Sequence, residues 1–278
     1  MPSSHCPPEM LRGAKQVSVG PGLTGLLWAD VATRLPAPAR EHLRATFPPV
    51  AVQAFTATTE QFWLDWLSDE NLDRLAGLVV VLDSDGIPVG WVASSDRRFG
   101  GRRCFYASSA GVRPDHQGSG ISSTIWRALL RSAIVKAAPR RLYAVMRTAN
   151  PLVYGAWSSA TGRPDAAWPA PGREVPDHVR RIAVDAATDL GQADRLDEKT
   201  LAITDAYDDT EAGLWTERPT SDREEIDAWF AQLLGPRDAI VLVVAFQPVR
   251  IMIDELRRQL RRSLGLRASR SSRSSRTG

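Results

Sequence analysis

Residues 108–130 read SSAGVRPDHQGSGISSTIWRALL, and this stretch decides the fold. A run of small and apolar residues ends at Val112, Pro114 marks a turn, and Gly118 and Gly120 precede an amphipathic segment. The first N–H groups of a helix have no partner within it and carry the positive end of the helix dipole. Glycines there let a phosphate approach the backbone. The stretch predicts a strand, a turn and a helix whose start fits a pyrophosphate, although the glycines alone favour an ordinary turn.

Two familiar phosphate motifs are absent from the sequence. No GxxxxGK[ST] pattern is present, which excludes a Walker-type loop. The turn reads Gly-Ser-Gly-Ile-Ser-Ser from Gly118, and no acidic residue follows at the end of the next strand, so the Rossmann fingerprint is not matched either.

The elements around this turn alternate between helical and extended patterns. Helices are predicted at residues 36–47 and 58–75, and strands at residues 23–31, on both sides of Asp85-Gly86, and at residues 102–112. A helix over residues 122–136 and a strand over residues 140–148 follow the turn. Further helices are expected at residues 176–190 and 220–234, the second capped by Thr220 or Ser221, before a strand at residues 239–246. This order predicts a mixed α/β sheet.

Composition is that of a soluble globular protein, with 278 residues, 43% hydrophobic and 24% charged. Two cysteines are too few for a disulfide framework and favour a reducing compartment. No signal peptide is visible at the N-terminus, and the longest apolar runs are shorter than the roughly 20 residues that span a bilayer. We therefore expect a cytoplasmic protein with no transmembrane segment.

The positive charge is concentrated at the C-terminus. Residues 250–278 carry nine arginines against Asp254 and Glu255, a net charge of +7, whereas the whole chain has a net charge of +3. Residues 250–278 predict a basic amphipathic helix followed by a disordered Arg/Ser tail. Such a tail could bind nucleic acid or an acidic partner, or it could serve only as a solubilising end.

The longer pattern AGVRPDHQGSGISSTIWRALL resembles the acetyl-CoA-binding segment of the GNAT N-acyltransferase superfamily. That segment has V-x-P followed by [Q/R]-x-x-G-x-[G/A] at the start of a helix, and Val112, Pro114, Gln117 and Gly120 match it. Ser122 stands where the family has glycine or alanine. The resemblance, good over residues 77–150, implies a mixed, mostly antiparallel central sheet flanked by helices, with the basic C-terminal helix and tail appended.

The resemblance also implies which residues hold the co-substrate, acetyl-CoA or another acyl-CoA, with no metal. The pantetheine arm is expected to pair with the strand before the turn, and the pyrophosphate to contact the backbone from Gln117 to Ser123. Asn150 and Trp157 follow the next strand and are expected to line the same site. The predicted cofactor-binding residues are Ala110, Gly111, Val112, Gln117, Gly118, Ser119, Gly120, Ile121, Ser122, Ser123, Asn150 and Trp157.

Catalytic residues are less clearly marked. Acyl transfer benefits from an acid that protonates the departing thiolate, and in the family this acid is commonly a tyrosine in N-x-x-A-x-x-x-Y. Here the pattern reads NPLVYGAW, so Trp157 takes the tyrosine position. Tyr154, one helical turn earlier, and Ser109, on the strand, are the candidate catalytic residues; the alternative for Tyr154 is packing between helix and sheet, and for Ser109 ordinary strand packing. No histidine stands out as a base, and His116 in the turn is expected to face solvent.

The sequence thus predicts an acyl-CoA-dependent N-acyltransferase acting on a small-molecule amine. The alternative is a GNAT-fold protein that binds acyl-CoA or a partner without turnover, because Trp157 replaces the usual acid. The aromatic helix at residues 62–66 either lines the acceptor or packs in the core. We divide the chain into a flexible lead-in at residues 1–20, an acyltransferase domain at residues 21–249 and the basic tail at residues 250–278. Residues 162–236 are expected to be an insertion that covers the acceptor side.

Overall fold

The computed structural model describes residues 7–253 and places one long sheet between two sets of helices. Its strands are β1 (Lys15–Val17), β2 (Thr24–Ala29), β3 (Gly77–Leu82), β4 (Pro88–Phe99), β5 (Arg102–Val112), β6 (Leu142–Thr148), β7 (Ala167–Trp168), β8 (Leu196–Asp197), β9 (Ala202–Ile203) and β10 (Ala239–Phe246). The sheet order is β1-β2-β3-β4-β5-β6-β10-β9-β8, with β7 also paired to β10.

The helices within the described residues are short at the N-terminal end and longer afterwards. They are α1 (Pro8–Leu11), α2 (Val31–Arg34), α3 (Ala37–Thr46), α4 (Pro48–Ala54), α5 (Glu60–Trp66), α6 (Asp69–Asp73), α7 (Ile121–Ala137), α8 (Pro151–Ala160), α9 (Asp177–Asp189) and α10 (Glu224–Leu233). Three-residue 3₁₀ turns lie at Pro114–His116, Pro164–Ala166 and Ala193–Arg195. No helix in the described part of the chain is long and apolar enough to cross a membrane.

The sheet is largely antiparallel, as predicted. Within residues 7–253 the pairing of β5 with β6 is parallel, and the other strand pairs are antiparallel. The parallel pair follows from the connection, because α7 carries the chain back across the sheet between β5 and β6. The predicted fold class, a mixed sheet flanked by helices, is confirmed.

The two faces of the sheet are covered by different helices. On one face, α7 packs against β3, β4 and β5, and a Cβ on Gly90 would lie 3.2 Å from a carbon of Ile121 at the start of α7. On the other face, Trp91 is fully buried in a second core cluster with Phe47, Phe55 and Trp63 from the N-terminal helices. Neighbouring residues of β4 therefore point into separate cores, as the alternation of a strand requires.

The aromatic helix belongs mainly to this second core. The Trp63 ring contacts those of Phe47, Phe55 and Trp91, with centroids 5.7, 5.2 and 5.6 Å away. Its indole N–H donates to the Thr58 hydroxyl at 2.8 Å, so the one polar group of the ring is satisfied. Of the two interpretations of the aromatic helix, core packing therefore describes Trp63.

Several sequence expectations are corrected at the N-terminal end. Part of the predicted flexible lead-in at residues 1–20 is built into the fold, because Met10 of α1 is fully buried and Lys15–Val17 pairs with β2. The predicted helix over residues 58–75 is two helices, since Ser68 caps a second one by accepting from the Asn71 N–H. Helices α2 and α4 were not predicted.

The C-terminal part differs in detail. Residues 162–236 contribute α9, α10 and three two-residue strands, of which β7 and β9 pair with β10 and β8 pairs with β9. Helix α10 begins at Glu224, and its cap position is Arg223 rather than Thr220 or Ser221, because Ser221 instead donates its N–H to Asp227. Residues 248–253 are helical, and the rest of the predicted basic helix and tail, from residue 254 onward, lies outside the described residues.

Candidate functional site

Strands β5 and β6 separate after a short parallel contact. They pair at Cys104–Tyr143, Phe105–Ala144 and Tyr106–Val145. Beyond Tyr106, residues 107–112 pair with β4 on one side, and residues 146–148 pair with β10 on the other. Within the described residues no strand pairs with the two edges that face each other, so a wedge opens between them. We call it the wedge, with its vertex at Tyr106 and Val145.

A β-bulge accompanies the opening of the wedge. Ala93 is paired with Ser109 and Ser94 with Ala107, so Ser108 is the extra residue on β5. A bulge bends its strand and increases the local twist, which directs the rest of β5 away from β6. It also turns Ser108 and Ser109 to the same face, where Ser108 Oγ lies 3.3 Å from Ser95 Oγ and Ser109 Oγ accepts from the Trp91 indole at 3.0 Å.

The open edge of β5 presents backbone hydrogen-bonding groups. The Arg113 N–H donates to the Val89 carbonyl at 2.9 Å, so it points toward β4. Because successive residues of a strand direct their backbone groups to opposite edges, Val112 and Ala110 point into the wedge. The Gln117 side-chain amide donates to the Val112 carbonyl at 3.1 Å. Ala110 is left with an N–H and a carbonyl for an extended ligand.

Gly111 lets the β5 backbone approach the Trp91 ring. A Cβ at Gly111 would lie no more than 2.9 Å from three ring carbons of Trp91. Trp91 is fully buried and is held in place by ring contacts with Phe47 at 4.6 Å and Phe55 at 5.9 Å. Gly111 is therefore required by packing, a role that the sequence pattern does not reveal.

The predicted phosphate turn has the geometry that the sequence indicated. Gly118 and Gly120 have φ values of +75° and +81°, and their Cβ positions would face open space. Gly120 is the N-cap of α7 and makes no side-chain cap. Among the described residues, the N–H groups of residues 118–123 make no hydrogen bond, and Ser122 and Ser123 are exposed. This cluster of free donors at the positive end of a 17-residue helix suits an anion.

The turn is braced by Arg113. Its guanidinium donates to both carboxylate oxygens of Asp115 at 2.7 and 2.9 Å, to Asp83 in the hairpin loop at 3.4 Å, and lies 3.0 Å from His116 Nε2. The hydrogen bond from Arg113 lowers the pKa of the Asp115 carboxyl below its usual value. The Ser119 hydroxyl donates to the His116 carbonyl at 2.5 Å. His116 is therefore tied into the turn beside Arg113.

The remaining predicted residues lie farther along the chain. Ile121 has its side chain buried under Gly90, so only its backbone faces the turn. Asn150 is the N-cap of α8 and accepts from the Leu152 N–H at 2.9 Å. Trp157 is 6% exposed and packs between α7 and the sheet, with its ring 5.0 Å from that of Trp126 and 6.5 Å from that of Phe105. Cofactor contacts for Asn150 and Trp157 stay predictions.

The Tyr154 hydroxyl is engaged in a buried hydrogen bond, and its catalytic role stays a prediction. Its hydroxyl donates to the Pro169 carbonyl at 3.0 Å, and its ring packs against Trp229 and Phe230 of α10 at 5.2 and 5.6 Å. The side chain is 4% exposed, and burial raises the pKa of the phenol. These contacts place the phenol against α10, where the Pro169 carbonyl satisfies its hydroxyl.

We expect Tyr154→Phe to leave acyl-transfer activity within about 2-fold of wild type. Removing the hydroxyl deletes one buried hydrogen bond and should lower the free energy of unfolding by about 1 kcal/mol. Denaturant melts and steady-state kinetics on the same preparation measure both quantities. A loss of kcat of about 100-fold or more with unchanged stability would contradict this expectation and show that the Tyr154 hydroxyl is catalytic.

Three residues at the vertex were not predicted as part of the site: Tyr106, Arg147 and Tyr207. Arg147 was the available signal, because it is a cation in the otherwise apolar strand LYAVMRT. The structure brings it against Tyr207, with the guanidinium carbon 4.5 Å from the ring centroid. Burial raises the pKa of Tyr106 to about 12, so this phenol is protonated at neutral pH.

Comparisons with known proteins identify the class of domain. The Acetyltransferase (GNAT) family model matches residues 38–155, which include the wedge, the bulge and the phosphate turn. Residues 38–155 are therefore a GNAT acetyltransferase domain, and the resemblance seen in the sequence is confirmed. A search of curated proteins gave no match.

Solved structures similar to the chain include a GNAT family acetyltransferase from Brucella melitensis in complex with acetyl-CoA, at 22% identity over 38% of this chain and 69% of that chain, TM-score 0.30. A ribosomal-protein-alanine N-acetyltransferase from Brucella melitensis biovar Abortus 2308 is 18% identical over 44% and 79%, TM-score 0.31. A GNAT family N-acetyltransferase from Escherichia coli in complex with CoA is 16% identical over 46% and 65%, TM-score 0.32. The assignment of the domain rests on the family match.

Proposed function

We propose that this protein transfers an acetyl or other short acyl group from coenzyme A to the amino group of a small-molecule acceptor. The observation that supports the proposal is that two groups of free backbone donors and acceptors follow each other along the chain. The open edge of β5 runs directly into a turn whose N–H groups have no partner among the described residues. A ligand with a diphosphate at one end and amide groups along an arm matches that sequence of donors and acceptors.

The roles of the residues follow from this placement. The N–H groups of residues 118–123 would receive the pyrophosphate, and Gly118 and Gly120 leave room for it. Amide groups of the pantetheine arm would pair with Ala110 in the wedge, as an added strand pairs with a sheet edge. The thioester would then reach the bulge at Ser108, where backbone N–H groups of β5 could stabilise the tetrahedral oxyanion.

The acceptor would enter on the face opposite α7. That face is bordered by Ser108, Ser109 and Trp91, and by a crossing segment at residues 214–216. The crossing segment is fastened to residues 54–57: the Trp215 indole donates to the Ala54 carbonyl at 3.0 Å, and the Ala57 N–H donates to the Leu214 carbonyl at 3.2 Å. This connection supports a role of residues 162–236 in covering the acceptor side, and an enclosed face favours a small acceptor over a protein surface.

The supply of protons separates this proposal from binding without turnover. Trp157 has no phenol, and the Tyr154 hydroxyl is used by Pro169. In a catalytic protein the thiolate would be protonated by another group or by water, whereas a non-catalytic one needs neither. Trp157 and Tyr154 therefore favour binding without turnover. The experiment must measure release of the thiol as well as binding of coenzyme A.

Calorimetry with coenzyme A, followed by thiol release from acetyl-CoA across a broad amine panel, tests the proposal. We expect coenzyme A binding and thiol release above the hydrolysis background with at least one class of amine. Binding without amine-dependent thiol release across the panel would support the alternative. No detectable coenzyme A binding by a folded protein would overturn both.

A further inference from the structure

Arg147 stands at the vertex of the wedge on the acceptor face. Val145 is the last residue of β6 that pairs with β5, and Arg147 is the next residue on the same face of the strand. The contacts of its side chain confirm that Arg147 points to this face. Its Nη1 donates to Gln192 Oε1 at 3.1 Å and to the Ala206 carbonyl. Both partners belong to the segment that follows α9, on the side opposite α7.

The charge of Arg147 has no carboxylate partner in the described part of the chain. The ion pairs there use other arginines, and Asp189, the nearby acid at the end of α9, accepts from Arg97 at 3.2 Å. Arg147 is nonetheless half-buried, with its guanidinium 4.5 Å from the centre of the Tyr207 ring. A half-buried guanidinium held by neutral groups is poorly compensated, and the groups that hold this one are the Gln192 amide, the Ala206 carbonyl and the Tyr207 side chain.

Tyr106 adds a neutral donor beside Arg147. It is 9% exposed, and the described residues provide no hydrogen-bond partner for its hydroxyl. Tyr106 is paired with Val145, so its side chain lies on the same face as that of Arg147, two residues further along β6, and Arg147 in turn contacts the Tyr207 ring. Ser95 on β4 is paired with Tyr106 on β5, and the Ser95 hydroxyl lies 3.3 Å from the Ser108 hydroxyl. The Arg147 guanidinium and the Tyr106 phenol therefore lie at the vertex, next to the bulge at Ser108 where the thioester would lie.

We propose that Arg147, with Tyr106, binds a carboxylate carried by the amine acceptor, so that the acceptor is an amino acid or a similar amino-carboxylate. This inference rests on the proposed function, because the amine must be presented to a thioester at Ser108. A carboxylate accepts two parallel hydrogen bonds from a guanidinium and can take a further one from a phenol. It would also neutralise the charge that this chain leaves uncompensated.

The test compares amino acids with their C-terminal amides on protein saturated with coenzyme A. Calorimetry on this complex needs no turnover, and each pair differs only in the negative charge. Hydrogen bonds to a charged group correspond to about 10- to 100-fold in affinity. We expect at least one amino acid to bind about 10-fold or more tightly than its amide. Equal affinities for every pair would overturn the inference.

Variants assign the preference to Arg147. Arg147→Gln keeps a hydrogen-bonding side chain without the charge, and we expect the affinity ratio of amino acid to amide to fall to about 1. Gln192→Ala is the matched control: it removes a neighbour of Arg147 and leaves the charge, so the ratio should persist. If Arg147→Gln lowers the melting temperature too far for calorimetry, Arg147→Lys replaces it. We expect its affinity ratio of amino acid to amide to be intermediate, because lysine keeps the charge and lacks the planar guanidinium. A wild-type ratio of amino acid to amide affinity in Arg147→Gln would overturn the assignment of the preference to Arg147.

The two proposals fail in different ways. Absence of coenzyme A binding overturns the proposed function, and the inference with it. Coenzyme A binding and thiol release with amines that lack a carboxylate, combined with no preference for amino acids over amides, overturns the inference alone.

Discussion

Replacing Gly118 and Gly120 together by valine is expected to weaken coenzyme A binding by about 100-fold or more while the protein stays folded. Both Cβ positions face open space, with no other atom within 4 Å of an added Cβ. They would instead occupy the surface over which a phosphate approaches the N–H groups of residues 118–123. Losing even one hydrogen bond to a charged group costs about 1.5–3 kcal/mol, and two such losses exceed 100-fold in affinity.

Backbone strain must be separated from lost phosphate contacts. Valine at a φ near +80° is strained, at about 1–2 kcal/mol for each residue. The double variant Gly101→Val/Gly172→Val supplies a matched control, because these glycines have φ values of +70° and +66° and also open onto space. Both are outside the turn, so we expect similar destabilisation in thermal melts and unchanged coenzyme A affinity by calorimetry. Wild-type affinity in the Gly118/Gly120 variant would show that the turn does not hold the pyrophosphate.

Substituting Gly111 by alanine is expected to cost about 1–3 kcal/mol of unfolding free energy, a large effect for one methyl group. The added carbon would overlap the Trp91 ring, which is fully buried among Phe47, Phe55 and Trp63 and cannot turn aside. Either β5 or the indole must move, and the indole would then lose its hydrogen bond to Ser109. Chemical denaturation gives the free energy, and the midpoint temperature should fall by several degrees.

Gly155→Ala is the contrasting control. A Cβ there would lie 3.9 Å from Ile226 Cδ1 of α10, which is an ordinary contact between the two helices. Alanine is favoured over glycine in a helix by about 1 kcal/mol, so this variant should be neutral or stabilised. In a Trp91→Leu background the cost of Gly111→Ala should shrink, because the overlapping ring is gone. An undiminished cost would attribute the effect to β5 itself rather than to the indole.

The local features of the site could be predicted from the sequence because each depends on residues that are neighbours in the chain. Glycines at positions 118 and 120 adopt positive φ, as a turn before a helix requires. Asp85-Gly86 joins β3 to β4, where Asp83 accepts from the Asp85 and Ile87 N–H groups. The apolar stripe of residues 121–134 buries Ile121, Ile125, Leu129 and Ile134, so α7 was also foreseen.

Other features depend on contacts between distant segments. The sequence near Tyr154 does not show that Pro169 and α10 lie within reach of its phenol, so these contacts could not be predicted. Gly111 was assigned to the ligand alone because its contact with Trp91 requires the pairing of β4 with β5. The short strands β7, β8 and β9 have too few residues to show alternation and exist through their pairing.

The sequence by itself determined the phosphate turn, the helix after it, the long strands and the family resemblance, since local backbone preferences and side-chain periodicity specify them. Only the tertiary structure decided where β5 leaves β6 and which side chains meet at the vertex. Tyr106, Arg147 and Tyr207 come from three separate segments, and a strand pattern does not reveal its neighbour. The physical reason is that sheet pairing and the bulge at Ser108 are set by burial on both faces at once, which no single segment encodes.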